Sequence, residues 1–348
     1  MSGHRALAVP RSPSDGPGAA GRDNRMEEGR HGVSHRPNWR DIDHVDAGWS
    51  AGRVVRAVNR RIARHVVTPI WRTRFRRSVL RSAPMAVGSA GDVSIHMLVD
   101  REHVPDAIAS LKSFYRFAPE PYPVTIHDDG SFGAREHQLL GSHLPGVRIV
   151  RRALADEVVI AELARRGLER CRALRQSGHV LALKLFDIPL YAGDAKLLLL
   201  DSDVLFFERP EELLAALARP ASAWEDRYNE DAGDGFYTFD VEEVERRTNV
   251  RLVRRFNSGL TCLQRDAASW EHFERWLSLP TLPDRGWFLE QTLTAMESSR
   301  RGARALPPEY DVHCRQARRG GRTVSGHYCG TSRRLFYPNF VRRVAPAL

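Results

Sequence analysis

Two aspartates, separated by one residue, follow a run of four leucines. The segment reads Leu-Leu-Leu-Leu-Asp-Ser-Asp, with carboxylates at Asp201 and Asp203. Side chains at positions i and i+2 of an extended chain point to the same face, so both carboxylates can enter one crevice. Mg²⁺ and Mn²⁺ accept such hard oxygen ligands and then bridge the phosphates of a nucleotide. The alternative, that the aspartates cap the next helix, would leave two charges beside a core strand without a cation, which is costly.

The elements that must position this pair predict an α/β fold. Apolar runs predict strands at residues 94–100, 124–128, 147–151 and 196–200. Helical patterns lie between them, at about 104–117, 133–143, 155–175 and 180–191. Strands that alternate with helices indicate a right-handed, mostly parallel sheet, and ligands bind such sheets at the carboxyl ends of the strands. Asp201 and Asp203 stand at such an end.

The second half of the chain has a weaker pattern. We expect strands near 259–263 and 323–327 and helices near 267–277 and 288–298. These elements suffice for a less regular subdomain on the acceptor side of a crevice. Cys171, Cys262, Cys314 and Cys329 are widely spaced, which is not the pattern of a zinc site or of a disulfide framework.

The positive charge is concentrated at the N-terminal side. Residues 1–85 contain 17 arginines and 7 acidic residues, so the net charge of +10 lies there and the remainder is neutral. A neutral body argues against a nucleic-acid partner. Residues 1–48 are rich in Gly, Pro, Ser and Arg, and we expect them to be disordered. No apolar run has the length of a membrane span or the pattern of a signal peptide, so we expect a cytoplasmic protein.

Residues 49–85 form a basic amphipathic helical segment by their periodicity. An apolar residue recurs every fourth position, and residues 51–81 include ten arginines and no acid. Three interpretations remain open: the stripe packs on the folded domain, the segment binds an anionic membrane surface from the cytoplasmic side, or it binds another macromolecule. The stripe consists of Val54, Val58, Ile62, Val66 and Ile70.

Five segments in order resemble one family. Residues 184–207 resemble the Asp-x-Asp region of GT-A-fold glycosyltransferases, especially the retaining glycogenin-like and lipopolysaccharide-galactosyltransferase-like family. Phe256–Leu263 resembles its Asn-x-Gly strand, Leu289–Leu293 its Asp-Gln helix, Leu306–Tyr310 its Leu-Pro-x-x-Tyr segment, and Gly326–Gly330 its His-(Phe/Tyr)-x-Gly. The resemblance implies a GT-A domain over about 93–340, with a Rossmann-like nucleotide-sugar-binding sheet.

The resemblance also implies an activity and its residues. The chain would transfer a sugar, with retention, from a UDP-sugar to a hydroxyl of a glycan, a lipid-linked acceptor or a small molecule. The implied metal ligands, for Mn²⁺ or Mg²⁺, are Asp201, Asp203 and His327. The residues implied in catalysis are Asp201, Asp203, Glu290 and Gln291. The residues implied in nucleotide-sugar binding are Asp100, Asp128, Lys184, Ser202, Asn257, Ser258, Gly259, Tyr328 and Gly330.

The sequence departs from the family pattern at two places. Glu290 replaces an aspartate, and Ser332–Tyr337 stands where Lys-Pro-Trp often follows the histidine motif. An inverting enzyme with Glu290 as general base is therefore an alternative, as is a non-catalytic nucleotide-sugar-binding protein. A sugar-phosphate nucleotidyltransferase should have a glycine-rich loop after its first strand, and residues 100–103 contain no glycine. A phosphatase of the Asp-x-Asp class should carry its motif early in the chain, whereas here the motif lies in the middle.

Overall fold

The computed structural model describes residues 67–192, 196–231, 237–238, 241–264, 269–279, 286–318 and 320–348. The predictions for residues 1–48 and for the helical stripe from Val54 to Val66 lie outside these ranges. Among the described helices, none is long and apolar enough to cross a membrane.

Ten strands and twelve helices lie within the described ranges. The strands are β1 Val93–Val99, β2 Val124–Asp128, β3 Arg148–Val150, β4 Lys196–Leu200, β5 Val204–Phe206, β6 Arg227–Glu230, β7 Phe256–Leu263, β8 Arg304–Ala305, β9 Tyr310–Val312 and β10 Ser325–His327. The helices are α1 Thr68–Arg81, α2 Val104–Tyr115, α3 Ala134–His143, α4 Arg152–Arg165, α5 Glu169–Gln176, α6 Ala182–Ala192, α7 Glu211–Ala218, α8 Val241–Thr248, α9 Ser269–Trp276, α10 Leu289–Arg300, α11 Arg315–Arg318 and α12 Phe336–Asn339.

The main sheet is mixed and has seven strands in the order β3-β2-β1-β4-β7-β6-β8. Strands β1 to β4 are parallel to one another, which confirms the α/β prediction for the first half of the domain. Beyond β4 the strand direction alternates: β7 is antiparallel to β4, and β6 is antiparallel to β7. The carboxyl end of β4 therefore lies at the centre of the sheet, where the direction of the strands changes.

A second sheet has three strands in the order β5-β10-β9, and its strand β5 follows β4 directly in the chain. The turn at residues 201–203 connects β4 to β5, so it joins the two sheets. Strand β10 is antiparallel to β5, with His327 opposite Val204. This register brings residue 327 to the turn that contains both aspartates, although the segments are more than 120 residues apart in sequence.

Helix α1 belongs to the same core as the sheet. Phe75 and Val79 are fully buried, and the ring of Phe75 lies 5.4, 5.2 and 5.0 Å from the rings of Phe336, Tyr337 and Phe340. This edge-to-face cluster closes one end of the domain. The described part of the basic segment therefore packs on the body through its inner face.

One helix differs from the prediction. The prediction of a single helix at 155–175 is wrong, because two helices, α4 and α5, occupy that region. Gly167 has φ of +69°, a left-handed conformation that ends α4 and that a residue with a side chain adopts only at a cost.

Candidate metal centre

The turn Asp201-Ser202-Asp203 is held from both sheets. The amide of Asp201 donates to the carbonyl of Gly259 in β7 (2.7 Å), and the carbonyl of Asp203 accepts from the amide of Tyr328, just after β10 (3.0 Å). The hydroxyl of Ser110 in α2 donates to the carbonyl of Asp201 (3.3 Å). Hydrogen bonds from three elements, two from backbone groups and one from a side chain, thus fix the turn, as a ligand-bearing segment requires.

Asp201, Asp203 and His327 converge at this turn. Each offers one ligand atom, and the three atoms lie within 4.8 Å of one another. The Nε2 atom of His327 lies 3.1 Å from Oδ1 of Asp203 and 3.9 Å from Oδ2 of Asp201. Two carboxylates and one imidazole form a donor set that suits Mn²⁺ somewhat better than Mg²⁺. The residues present therefore fit a divalent cation.

Asn257 in β7 fixes the orientation of the histidine ring. Its Oδ1 accepts from Nδ1 of His327 (2.9 Å) and from the amide of Gly259 (3.0 Å). Its Nδ2 donates to the carboxylate of Asp231 (2.9 Å). Since a carboxylate only accepts, Nδ2 must face Asp231 and Oδ1 must face His327, so Nδ1 carries a proton and Nε2 faces the two aspartates.

Gly259 is required by a close approach of the same ring. A Cβ built on Gly259 would lie 2.1 Å from Cε1 of His327 and 2.7 Å from both ring nitrogens. Real Cβ contacts do not reach such distances. The absence of a side chain at 259 is therefore what lets the imidazole lie flat against β7 and reach the carboxylates.

Two cationic side chains flank the carboxylates. Nζ of Lys184, on α6, lies 2.6 Å from Oδ1 of Asp201, and Nη1 of Arg333 lies 2.6 Å from Oδ2 of Asp203. Arg333 is itself anchored by the buried carboxylate of Asp106 in α2, at 2.6 Å. Each aspartate therefore gives one oxygen to a cationic side chain and turns the other towards Nε2 of His327.

The electrostatics follow from these pairs. Burial opposes the charged form of Asp203, but Arg333 and His327 outweigh it and hold the pKa of Asp203 below its ordinary value. Burial likewise opposes the charge on Lys184, and the carboxylates of Asp201 and Glu290 overcome it and raise the pKa of Lys184. Each carboxylate of the turn is thus balanced by a cationic side chain beside it.

Glu290 and Gln291 lie at the start of α10, against β7. The carboxyl group of Glu290 accepts from the hydroxyls of Ser258 (2.9 Å) and Thr294 (3.3 Å). Only 2% of Glu290 is exposed, and burial raises its pKa. The amide oxygen of Gln291 accepts from the backbone amide of Ser258 (3.2 Å). Both residues therefore contact Ser258 in β7, and the charge of Glu290 also acts on Lys184.

Asp100 and Asp128 shape the turns at the ends of β1 and β2. Asp100 caps the turn Arg101–His103 and contacts the ring of His103 at 2.7 Å. Oδ1 of Asp128 accepts from the amides of Gly130 (2.8 Å) and Phe132 (3.1 Å). The amide of Arg101 donates to the hydroxyl of Ser131 (2.8 Å), which ties these two loops together at the same edge of the sheet as the metal centre.

The remaining predicted residues lie in the turn, as Ser202 does, or just after β10, as Tyr328 and Gly330 do. Ser202 is buried within the turn, and the side chain of Tyr328 packs in the core, 5.9 Å from the ring of Phe336. The backbone amide of Tyr328 is what contacts Asp203. Gly330 adopts a φ of +55° at the start of the helical turn that carries Arg333.

Three residues of the site were missed by the sequence analysis: Arg333, Asp106 and Asp231. Arg333 lies in the stretch where the sequence departs from the family pattern, and that departure was the available signal. The two aspartates carried no signal, because their role depends on partners that are 227 and 26 residues away in the chain.

No family model matches the sequence, and no curated protein sequence matches it. Among solved structures, the fold resembles the bifunctional glycosyltransferase WbbM, with a TM-score of 0.47 and 15% identity over 74% of this chain. The chain spans 51%, about half, of that protein. Mouse xyloside xylosyltransferase 1 gives a TM-score of 0.45 with 14% identity, over 71% of this chain and 99% of the other.

The galactosyltransferase LgtC, solved with donor and acceptor sugar analogues, gives 0.43 with 12% identity, over 71% of this chain and 95% of its own. The chain resembles these proteins in the path of its backbone. Every one of these TM-scores is below 0.5, so the likeness concerns the fold and does not extend to the chemistry of the site.

Proposed function

We propose that this chain is a metal-dependent glycosyltransferase of the GT-A type, which transfers a sugar from a UDP-sugar to a hydroxyl acceptor. The observation that carries the proposal is the convergence of Asp201, Asp203 and His327 at the carboxyl end of β4. Ligands of open α/β sheets bind at this edge. The order of the glycosyltransferase-like segments along the chain supports the same assignment, and the preference for UDP rests on that resemblance.

The charges of the site support a nucleoside diphosphate as the leaving group. Asp201 and Asp203 are balanced by Lys184 and Arg333. A divalent cation bound to the free carboxylate oxygens and to Nε2 of His327 would act as a Lewis acid that neutralises charge developing on the leaving phosphate. With the cation, Asp201, Asp203, Lys184 and Arg333 would carry a net charge of +2, and the carboxylate of Asp106, which shares Arg333, lowers it to about +1. A centre of net positive charge suits a diphosphate. Lys184 and Arg333 keep the ligand oxygens oriented.

The family resemblance favours retention of configuration, with the leaving phosphate oxygen taking the proton of the acceptor hydroxyl. Inversion would need a carboxylate base beside the acceptor. Glu290 is the candidate base, but its carboxyl group is held by Ser258 and Thr294 and is almost fully buried. That environment suits a group that positions β7 and the donor sugar better than one that meets an incoming acceptor.

Hydrolysis of nucleotide-sugars, measured as released nucleoside diphosphate, tests the proposal without knowledge of the acceptor. We expect turnover of UDP-sugars with Mn²⁺, none with EDTA, and none in Asp203→Asn. Glu208→Gln serves as the control, since Glu208 forms an exposed ion pair with Arg322. Mn²⁺-dependent binding without any turnover would favour the non-catalytic alternative. Selective binding of GDP- or dTDP-sugars would contradict the UDP assignment.

We further propose that the outer face of α1 contacts an anionic membrane surface. Phe75 and Val79 hold the inner face of the helix in the core, while Ile70 and Leu80 are 48% and 54% exposed. Arginines surround these two residues on the outer face, and each basic residue near an anionic surface contributes about 1 kcal/mol. These arginines are Arg74, Arg76, Arg77 and Arg81.

Co-sedimentation with phosphatidylglycerol vesicles tests this contact. We expect the full chain to bind at low salt and to dissociate at high salt, and Ile70→Glu to weaken binding. Leu154→Glu is the matched control, because Leu154 is 58% exposed but lies on α4. Absence of binding by the full chain at low salt would contradict the proposal.

A further inference from the structure

Asp231 lies directly after β6, behind the metal centre. Only 2% of it is exposed. Its backbone amide donates to the carbonyl of Arg255 (2.6 Å), which fixes its place at the end of the strand. A buried carboxylate in this position needs polar partners.

The partners of Asp231 lead to the metal centre. Its Oδ2 accepts from Nδ2 of Asn257 (2.9 Å), and its Oδ1 lies 3.5 Å from Nε2 of His313. Oδ1 of Asn257 in turn accepts from Nδ1 of His327 (2.9 Å). Carboxylate, amide and imidazole therefore form a continuous chain of hydrogen bonds from β6 through β7 to β10.

The direction of these bonds is set by the carboxylate of Asp231 together with the backbone amide of Gly259, which also donates to Oδ1 of Asn257 (3.0 Å). An amide group alone could face His327 with either its oxygen or its nitrogen. With the carboxylate behind it, Asn257 can present only its oxygen to the ring. The proton of the neutral imidazole is then confined to Nδ1, and the lone pair of Nε2 faces the carboxylates of the metal centre.

We infer that Asp231 is a positioning residue, which acts through Asn257 to select the metal-binding tautomer of His327. The inference rests on the metal centre proposed above. Without the carboxylate, only the backbone amide of Gly259 still holds Oδ1 of Asn257 towards the ring. A side chain that then turns and donates from Nδ2 would move the ring proton to Nε2, where a cation must bind. Groups behind a metal ligand commonly change metal affinity 10- to 100-fold.

The test is the dissociation constant of Mn²⁺, measured by electron paramagnetic resonance on the full chain without a nucleotide. We expect a 10- to 100-fold weaker affinity in Asp231→Ala and in Asp231→Leu, which fills the same space. Asp231→Asn should stay within about threefold of the wild type, since its amide oxygen can still accept from Asn257. Asp226→Ala is the control, as Asp226 is an equally buried carboxylate just before β6 that binds Arg301 instead.

A double-mutant comparison separates positioning from a general structural effect. If Asp231 acts only through Asn257, the variant with both Asp231→Ala and Asn257→Ala binds Mn²⁺ no more weakly than Asn257→Ala alone. A double variant that binds Mn²⁺ more weakly than Asn257→Ala alone would overturn the inference. Unchanged affinity in the folded Asp231→Ala and Asp231→Leu variants would overturn it as well. If the wild type binds no Mn²⁺, the metal centre itself is wrong and the inference falls with it. Melting curves identify any variant that fails to fold.

Discussion

The substitution Gly259→Ala isolates the contact between β7 and the imidazole of His327. A methyl group at 259 would lie 2.1 Å from Cε1 of the ring, so the ring must retreat by more than 1 Å to reach an ordinary contact. Gly259 is outside the left-handed region of backbone conformation, so alanine introduces no strain in the chain itself. The perturbation is thus confined to the position of one metal ligand.

This displacement should lower both the stability of the protein and its affinity for Mn²⁺. Overpacking of a buried site costs about 1–3 kcal/mol of folding free energy, which a domain of this size should tolerate. Displacement of His327 weakens the third ligand of the cation. We expect Mn²⁺ affinity to fall about 10- to 100-fold, which corresponds to about 1.4–2.7 kcal/mol.

Calorimetric titration with Mn²⁺ measures the affinity, and a thermal melt of the same sample measures the stability. Gly141→Ala is the control, because a Cβ at that helical position meets nothing within 4 Å; it should leave binding unchanged and not lower stability. In a His327→Ala background, Gly259→Ala should add no further loss of affinity. A Gly259→Ala protein that binds Mn²⁺ like the wild type would refute the account of the site.

Three further perturbations have definite expected outcomes. Asp203→Asn should abolish measurable Mn²⁺ binding and cost about 1–3 kcal/mol of stability, because it leaves buried cationic partners without their carboxylate; calorimetry and chemical denaturation would measure the two effects. Phe75→Ala should destabilise by about 3–5 kcal/mol, whereas the exposed Ile70→Ala should change stability by less than about 0.5 kcal/mol; equal melting curves would contradict the packing of α1. Burial, together with the charge of Arg148, lowers the pKa of His96 to about 3, and burial with the charges of His96 and Arg148 lowers the pKa of His127 well below 6.5. The unfolded chain therefore binds more protons below pH 6.5, so stability falls as the pH falls, and His96 alone should cost about 2 kcal/mol between pH 7 and pH 5; denaturant titration should show a weaker pH dependence after both histidines are replaced by glutamine.

The central strands were predictable because their sequences are unambiguous. The five residues of β4 are apolar apart from the first, and the strand lies in the middle of the sheet, buried on both faces. Strand β6, with the sequence Arg-Tyr-Asn-Glu, has no apolar run, and β8 has only two residues. The place of β6 is decided by its pairing with β7, and that of β8 by its pairing with β6; a local sequence pattern contains neither pairing.

The site, like the sheet, has residues that the sequence predicts and residues that only the folded structure identifies. Asp201, Asp203 and His327 were predicted because their motifs have recognisable spacing and neighbours. The contact of Arg333 with Asp203 and the chain from Asp231 through Asn257 depend on strands that meet only in the folded protein. Lys184 was predicted as a contact of the diphosphate, and the structure adds that its ammonium group pairs with Asp201. Tertiary partners therefore set the roles that sequence spacing leaves open.

The aromatic cluster between α1 and residues 336–340 has a consequence for synthesis in the cell. Phe75 leaves the ribosome early, but the rings that enclose it, and His327 as well, are translated more than 250 residues later. Contacts of such sequence separation form late and slowly, so the partial chain must remain soluble with the inner face of α1 uncovered. A cation at the proposed metal centre could bind only after that final closure, because His327 is translated with this last part of the chain.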